Sequence, residues 1–292
     1  MDFDSRRKVI SGLVKLGYGL VALYLWFILL LWLEPALAED LAHNKVEFKE
    51  LRLQIGSPNP PYLIRPDEIP RDNHRDNIRD NIRDTYGAEL DIVREALAFE
   101  GYRLNVISQD HTAPLSQETQ RLGYQVDAVM GVSRGNELGG CYSRPYIFHR
   151  TVAISLSSRD LILDDIEDLR DQRVIGVAEA PGMLGINFSK VFAKIKGYEE
   201  VKHQRRQGIE LFSGDTDFIV GDLNSFNWIV ENGEFPESVD RSQSIAVHPI
   251  FPPSSRHLIF RDQSVCDAFN RGMEHLELSG RYQEILNAHN LF

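Results

Sequence analysis

The side chains able to do chemistry are thinly spread along this sequence. Nine histidines are present, but no two stand at i and i+4, so no metal-binding pair forms on one helix face. No glycine-rich phosphate loop and no strained nucleophile turn is present either. The sequence therefore predicts no cofactor and no metal. Glu179 stands just ahead of an expected helix start, where a glutamate serves the helix dipole. Groups suited to binding are better represented. Asp222 precedes Leu223-Asn224-Ser225, where an aspartate can cap a helix. Ser133 and Arg134 follow an apolar strand, and a guanidinium can grip a carboxylate through two parallel bonds with a hydroxyl assisting; an exposed surface arginine is the alternative. Tyr62 follows a double proline that stiffens its backbone. Cys141 and Cys266 have no partner at metal-ligand or dithiol spacing, and both a single disulfide and two free thiols fit.

The elements that must hold these groups follow from periodicity. Leu51, Leu53 and Ile55 alternate as a strand that Gly56-Ser57-Pro58-Asn59-Pro60-Pro61 stops. Four copies of an Arg-Asp-Asn-like tetrapeptide then span residues 71–86; their balanced charge and few apolar residues predict a poorly packed excursion over 66–84. Leu90, Val93 and Leu97 recur at helical spacing before Gly101. Strands follow near Leu104–Ile107, Val126–Val132 and Val152–Leu156, which points to an α/β layer architecture with parallel pairing. The pattern restarts at Arg173–Val177, continues into a helix over roughly 183–196, and runs on through the strand Phe218–Val220. Val265, Phe269, Met273 and Leu276 mark the first of two closing helices, the second starting at Gly280.

The chain carries 43 acidic against 32 basic residues, a formal net charge of -11, so its field repels phosphate backbones and nucleic acid is excluded as a partner. Residues 1–38 read as an export signal. Arg6-Arg7-Lys8 precede an uncharged run from Leu16 to Leu33, and Ala36-Leu37-Ala38 offers a cleavage site. That run also reaches spanning length, so an uncleaved anchor fits too, and the membrane is met only through this segment.

Seven segments, in order, resemble the periplasmic solute-binding proteins of the polar amino-acid ABC transporter type, the bacterial extracellular solute-binding family 3. They are Gly56-Ser57-Pro58-Asn59-Pro60-Pro61-Tyr62, Gly87 to Val93, Val126 to Gly131, Tyr142-Ser143-Arg144-Pro145-Tyr146, Ile166 to Leu169, Gly214 to Asp222, and Leu278 to Tyr282. The resemblance implies a two-lobed periplasmic-binding-protein-like fold (type II) with an interlobe ligand cleft. Residues 46–152 plus 256–292 would form one lobe and 153–255 the other. It implies a small-molecule ligand, ABC transporter membrane subunits as partners, and a periplasmic location. By the same resemblance, Asp222 accepts hydrogen bonds from a ligand ammonium, Tyr62 covers the ligand's apolar part, and Tyr146 braces the crossing strand. The family's Thr-x-x-Arg is replaced here by Ser133-Arg134, and its Gly-Thr or Gly-Ser by Ala180-Pro181-Gly182, which lacks the hydroxyl. A sensory or accessory binding protein, and a dehydratase of the cyclohexadienyl type using Glu179, are the alternative functions that the resemblance leaves open.

Overall fold

The computed structural model describes residues 48–65, 85–108, 126–133, 139–178, 180–202 and 204–291. The leader over 1–38, the tetrapeptide excursion at 66–84, Arg134 and Glu179 lie outside them. Among the described residues no helix is long and apolar enough to cross a membrane.

Two sheets organise the fold. The first joins β1 (Lys49–Ile55), β2 (Tyr102–Ser108), β3 (Ala128–Val132), β4 (Cys141–Tyr142), β5 (Ile147–His149) and β11 (Ser254–Phe260), in the order β2-β1-β3-β11-β4 with β5 also on β11. The second has the order β10-β6-β9-β7-β8, from β6 (Thr151–Leu156), β7 (Arg173–Val177), β8 (Gly197–Val201), β9 (Phe218–Asp222) and β10 (Ile245–His248). Only the β1–β2, β1–β3, β7–β8 and β7–β9 pairs are parallel; β11 and β6 run antiparallel to their neighbours. The expected parallel pairing holds for β1, β2 and β3 but not for β6, which lies in the second sheet antiparallel to β9 and β10. For β11 the reason is that it returns from the second sheet against the direction in which β5 and β6 crossed to it.

The period of two along each strand sorts side chains to opposite faces. In the second sheet Phe218 and Val220 join Ala153 and Val174 in one core, while Ile219 joins Ile154 and Ile175 in another. In the first sheet Leu51, Leu53 and Ile55 pack beneath α1 (Ala88–Phe99), with Phe269 and Met273 of the long helix near the C-terminus in the same cluster. That helix approaches α1 so closely that a Cβ on Gly272 would stand 2.0 Å from the Ala96 carbonyl oxygen.

The expected helix over 183–196 is instead interrupted. It is split into α2 (Ala180–Met183), α3 (Gly185–Val191) and a 3-10 turn over Phe192–Lys194. Gly185 takes φ 83°, left-handed backbone that ends one segment before the next begins. The later helices are α4 (Gln204–Ser213), α5 (Leu223–Asn232), α6 (Gln263–Leu278) and α7 (Arg281–Ala288). Cys141 of β4 and Cys266 of α6 form a disulfide that ties the first sheet to its covering helix across 125 residues of sequence.

Candidate functional site

The chain passes between the sheets twice, from β5 through Arg150 into β6 and from β10 back into β11. The groups of interest cluster around these two crossings. Asp222 ends β9 opposite Thr151, the first residue after the outward crossing. Its Oδ1 accepts from the Ser225 backbone N–H at 3.0 Å and caps α5, because at the start of a helix the first backbone N–H groups have no internal partner. Its Oδ2 accepts from the Arg150 backbone N–H at 2.7 Å and from the Tyr62 hydroxyl at 3.1 Å.

Tyr62 belongs to the first sheet's side of the molecule, so its bond to Asp222 spans the two sheets. It is 1% exposed. Asn224 donates to the same hydroxyl at 3.0 Å, and Ser225 donates to Asn59 Oδ1 at 2.9 Å, adding a second crossing contact. Burial first, then the charge of Asp222, pushes the Tyr62 phenol well above its ordinary value, so it remains a neutral donor. The Tyr62 loop is held against the start of α1, where Ala88 and Glu89 donate backbone N–H bonds to the Pro61 and Tyr62 carbonyls at 3.1 and 3.0 Å. Gly87 makes this approach possible. Its φ is 133°, and a Cβ there would lie 2.4 Å from the Tyr62 carbonyl oxygen.

That anchoring carries Glu89 into the interior. Glu89 Oε2 accepts from the Tyr146 hydroxyl at 2.6 Å, and Oε1 meets His149 Nε2 at 2.7 Å. Burial alone would raise this carboxyl group, but the hydrogen bonds from His149 and the Tyr146 hydroxyl and the nearby Arg256 charge outweigh burial and hold it below its ordinary value. The His149 ring lies 4.1 Å from the Tyr62 ring, centroid to centroid, which joins this chain of groups to the crossing contact. On the other side of His149, Arg256 Nε and Nη2 approach Nδ1 at 3.3 and 3.2 Å, and Arg256 Nη1 donates to the Ser133 hydroxyl.

Beside these groups lies a cavity of about 270 Å³, whose wall includes Asn59, Glu89, Gly131, Ser133, His149 and Arg256. Of the four residues singled out from sequence, Tyr62 and Asp222 meet each other, Ser133 lines the adjoining cavity, and Arg134 lies outside the described residues. Tyr146 is buried, donates to Glu89 and accepts from the Gly131 N–H at 3.1 Å, the geometry of a brace between β3, β5 and α1. Sequence reasoning passed over Glu89, His149 and Arg256. Glu89 carried one legible signal, a charged residue on the apolar face of α1 beside Leu90 and Val93. Among the described residues no group of three or more His, Cys, Asp or Glu could hold a metal ion.

Neither a family model nor a curated protein sequence matches the chain. Solved structures do. An amino acid ABC transporter substrate-binding protein, AbpA from Streptococcus pneumoniae bound to L-arginine, is 15% identical with a TM-score of 0.56, covering 82% of this chain and 94% of its own. The GluR0 ligand-binding core in complex with L-glutamate is 12% identical with a TM-score of 0.59, over 82% of this chain and 98% of its own. The ancestral amino-acid-binding protein AncCDT-1, a precursor of cyclohexadienyl dehydratase, is 12% identical with a TM-score of 0.57, over 82% and 95%. At these identities the likeness establishes the fold, a two-lobed α/β fold of the periplasmic-binding-protein type.

Proposed function

We propose that this chain is an exported solute-binding protein that captures a small polar ligand, an amino acid or a close relative, for ABC-type uptake. The observation that carries the reading is the junction of Tyr62 and Asp222. These two groups, 160 positions apart in sequence, meet where the chain crosses between the sheets, beside a cavity sized for a small molecule. In the proposed division, 46–152 with 256–292 moves as one lobe and 153–255 as the other, hinged at Arg150 and at the segment between β10 and β11. The amino-acid-binding proteins named among the structural neighbours support the ligand class, and the Cys141–Cys266 disulfide supports an oxidising, extracytoplasmic location. Tyr62, Asp222, Ser133 and Arg134 are the proposed contacts. In the conformation described, the Tyr62 hydroxyl occupies Asp222 Oδ2, so a ligand ammonium reaches this oxygen only after Tyr62 gives way.

We read the protein as a binder and not an enzyme. In the Glu89–His149–Arg256 chain both carboxylate oxygens and both ring nitrogens are engaged in holding a neighbour, an arrangement suited to shaping a wall. The test is thermal unfolding of the full chain, followed by tryptophan fluorescence, with the standard amino acids, oligopeptides, organic acids and amines. A ligand at about a hundredfold over its Kd should raise Tm by about 5 to 10 °C. Asp222→Ala should weaken the binding of an amino acid so identified by about 10 to 100-fold. Absence of stabilisation by every member of the panel would remove the solute-binding reading.

A further inference from the structure

Arg256 sits on β11, the strand by which the chain returns to the first sheet, and it faces the cavity. Its partners are neutral or bear no negative charge toward it. His149 Nε2 lies against the Glu89 carboxylate, which can only accept, so the ring proton is on Nε2; Nδ1 then carries a lone pair, and the Arg256 Nε and Nη2 groups donate to it. Arg256 Nη1 donates to Ser133 Oγ. No ion pair to Arg256 forms among the described residues. These bonds use the Nε–H, one N–H of Nη2 and one of Nη1, which leaves one N–H on each terminal nitrogen. Ser133, accepting from Arg256, keeps its own O–H as a donor. The Glu89 carboxylate is the one acidic group in this wall, and each of its oxygens is already bonded, one to Tyr146 and one to His149.

We propose that Arg256, with the Ser133 hydroxyl, is the carboxylate anchor of the cavity, and that Glu89 and His149 are positioning residues that hold its guanidinium at a fixed angle. The terminal N–H groups of a guanidinium match the oxygens of a carboxylate, and the serine hydroxyl supplies a further donor from the neighbouring strand end. Because the buried chain from Tyr146 through Glu89 and His149 to Arg256 exists before any ligand arrives, little side-chain freedom is left to lose on binding. The ligand class is a small molecule with a free carboxylate; whether it also carries an ammonium is read from the Asp222 side of the site. This inference rests on the solute-binding reading above.

The test uses the full chain and the standard amino acids, together with the α-keto acid and the decarboxylated amine corresponding to each amino acid that binds. Affinities are measured by calorimetric titration for the wild type, Arg256→Gln, Arg134→Gln, His149→Phe and the Arg256→Gln/His149→Phe pair, with far-UV circular dichroism and Tm confirming that each variant folds. The expected result has three parts. Arg256→Gln weakens carboxylate ligands by about 100-fold while Arg134→Gln, a secondary contact, weakens them by about tenfold or less. The corresponding amines do not bind measurably to the wild type. His149→Phe weakens carboxylates by about tenfold in the wild-type background but adds nothing on top of Arg256→Gln, a coupling that a merely structural role would not produce. Should Arg256→Gln fail to fold, Arg256→Lys with its fold intact serves, with a loss of about tenfold expected from the missing fork. If carboxylates bind folded Arg256 variants as tightly as the wild type, if amines bind equally well, or if the large loss belongs to Arg134→Gln, the anchor is overturned while solute binding stands. If nothing in the panel binds, the solute-binding reading fails and this inference fails with it.

Discussion

The contact across the sheets and the cavity wall beside it are built from similar groups but held in opposite ways. Across the sheets, Tyr62 bonds to Asp222 and Asn224, and Ser225 bonds to Asn59, each through a side chain that could find water or a ligand instead. In the wall, Tyr146, Glu89, His149 and Arg256 bond in series among groups from α1, β5 and β11 of a single sheet's packing unit, and Glu89 and His149 are both nearly buried. Under the hinge motion proposed above, a bond between the two parting bodies has a solvated alternative. A bond inside one core does not, so breaking it leaves a buried polar group unpaired. The wall is therefore expected to persist in every state of the protein, and the crossing contact only in the closed one.

The largest expected effect breaks the wall's support. Replacing both Cys141 and Cys266 by alanine frees a loop closed over 125 residues, and loop-closure entropy puts the loss at roughly 4 to 5 kcal/mol. A urea titration should show the midpoint falling by that equivalent, and an unchanged midpoint would mean that this unit does not depend on its covalent tie. Gly87→Ala comes next. Its Cβ would clash with the Tyr62 carbonyl and its φ is unfavourable for alanine, so about 2 to 3 kcal/mol should be lost, visible as a lower Tm. Both the wall and the crossing contact hang on this glycine, so ligand affinity should fall as well.

Glu89→Gln separates charge from shape. The amide keeps the volume but presents a donor where an acceptor is needed, at a cost of about 2 kcal/mol. Glu89 also makes the wild type pH-dependent, with a worked sign: its carboxyl is held lower in the folded state, so its contribution is full above the ordinary glutamate value of about 4.3 and is lost as pH falls through the lower folded value. Thermal scans between about pH 6 and pH 3 should show a smaller drop in Glu89→Gln than in the wild type. An identical drop would place the acid sensitivity elsewhere.

Tyr62→Phe sharpens the other half of the comparison. It removes the hydroxyl that joins the sheets and should cost about 1 kcal/mol of closed-state stability while leaving the wall intact. Small-angle scattering without ligand should then give a larger radius of gyration than the wild type; the same radius would mean that the crossing is held by other contacts. The smallest effect is expected far from both regions. Lys196 and Asp171 are each 77% exposed, and Lys196→Ala should leave Tm unchanged within error.

The sequence by itself determined the elements whose residues are sorted by local period. The strands near Leu51, Leu104, Val129, Val174 and Ile219, and the helix through Leu90 and Leu97, stand where alternation and helical spacing place them, because each has a face buried against one core. Asp222 as a helix cap was legible for the same reason: the unsatisfied N–H groups of a helix start lie within three residues of it. Of the strands missed from sequence, β4, β8 and β10 stand at sheet edges, where Gly197–Val201, for example, buries only Val201 and shows no period, while β5 is three residues long and β11, interior to the first sheet, buries a continuous run over 257–260 instead of alternating. The wall was decided by tertiary structure alone. Glu89 and His149 are 60 positions apart, and Arg256 and His149 are 107 apart, and no local spacing relates them. They meet because α1 is pinned to the Tyr62 loop and because β5 and β11 pair antiparallel at the crossing, a register set by the packing of two sheets and carried by no short stretch of the chain.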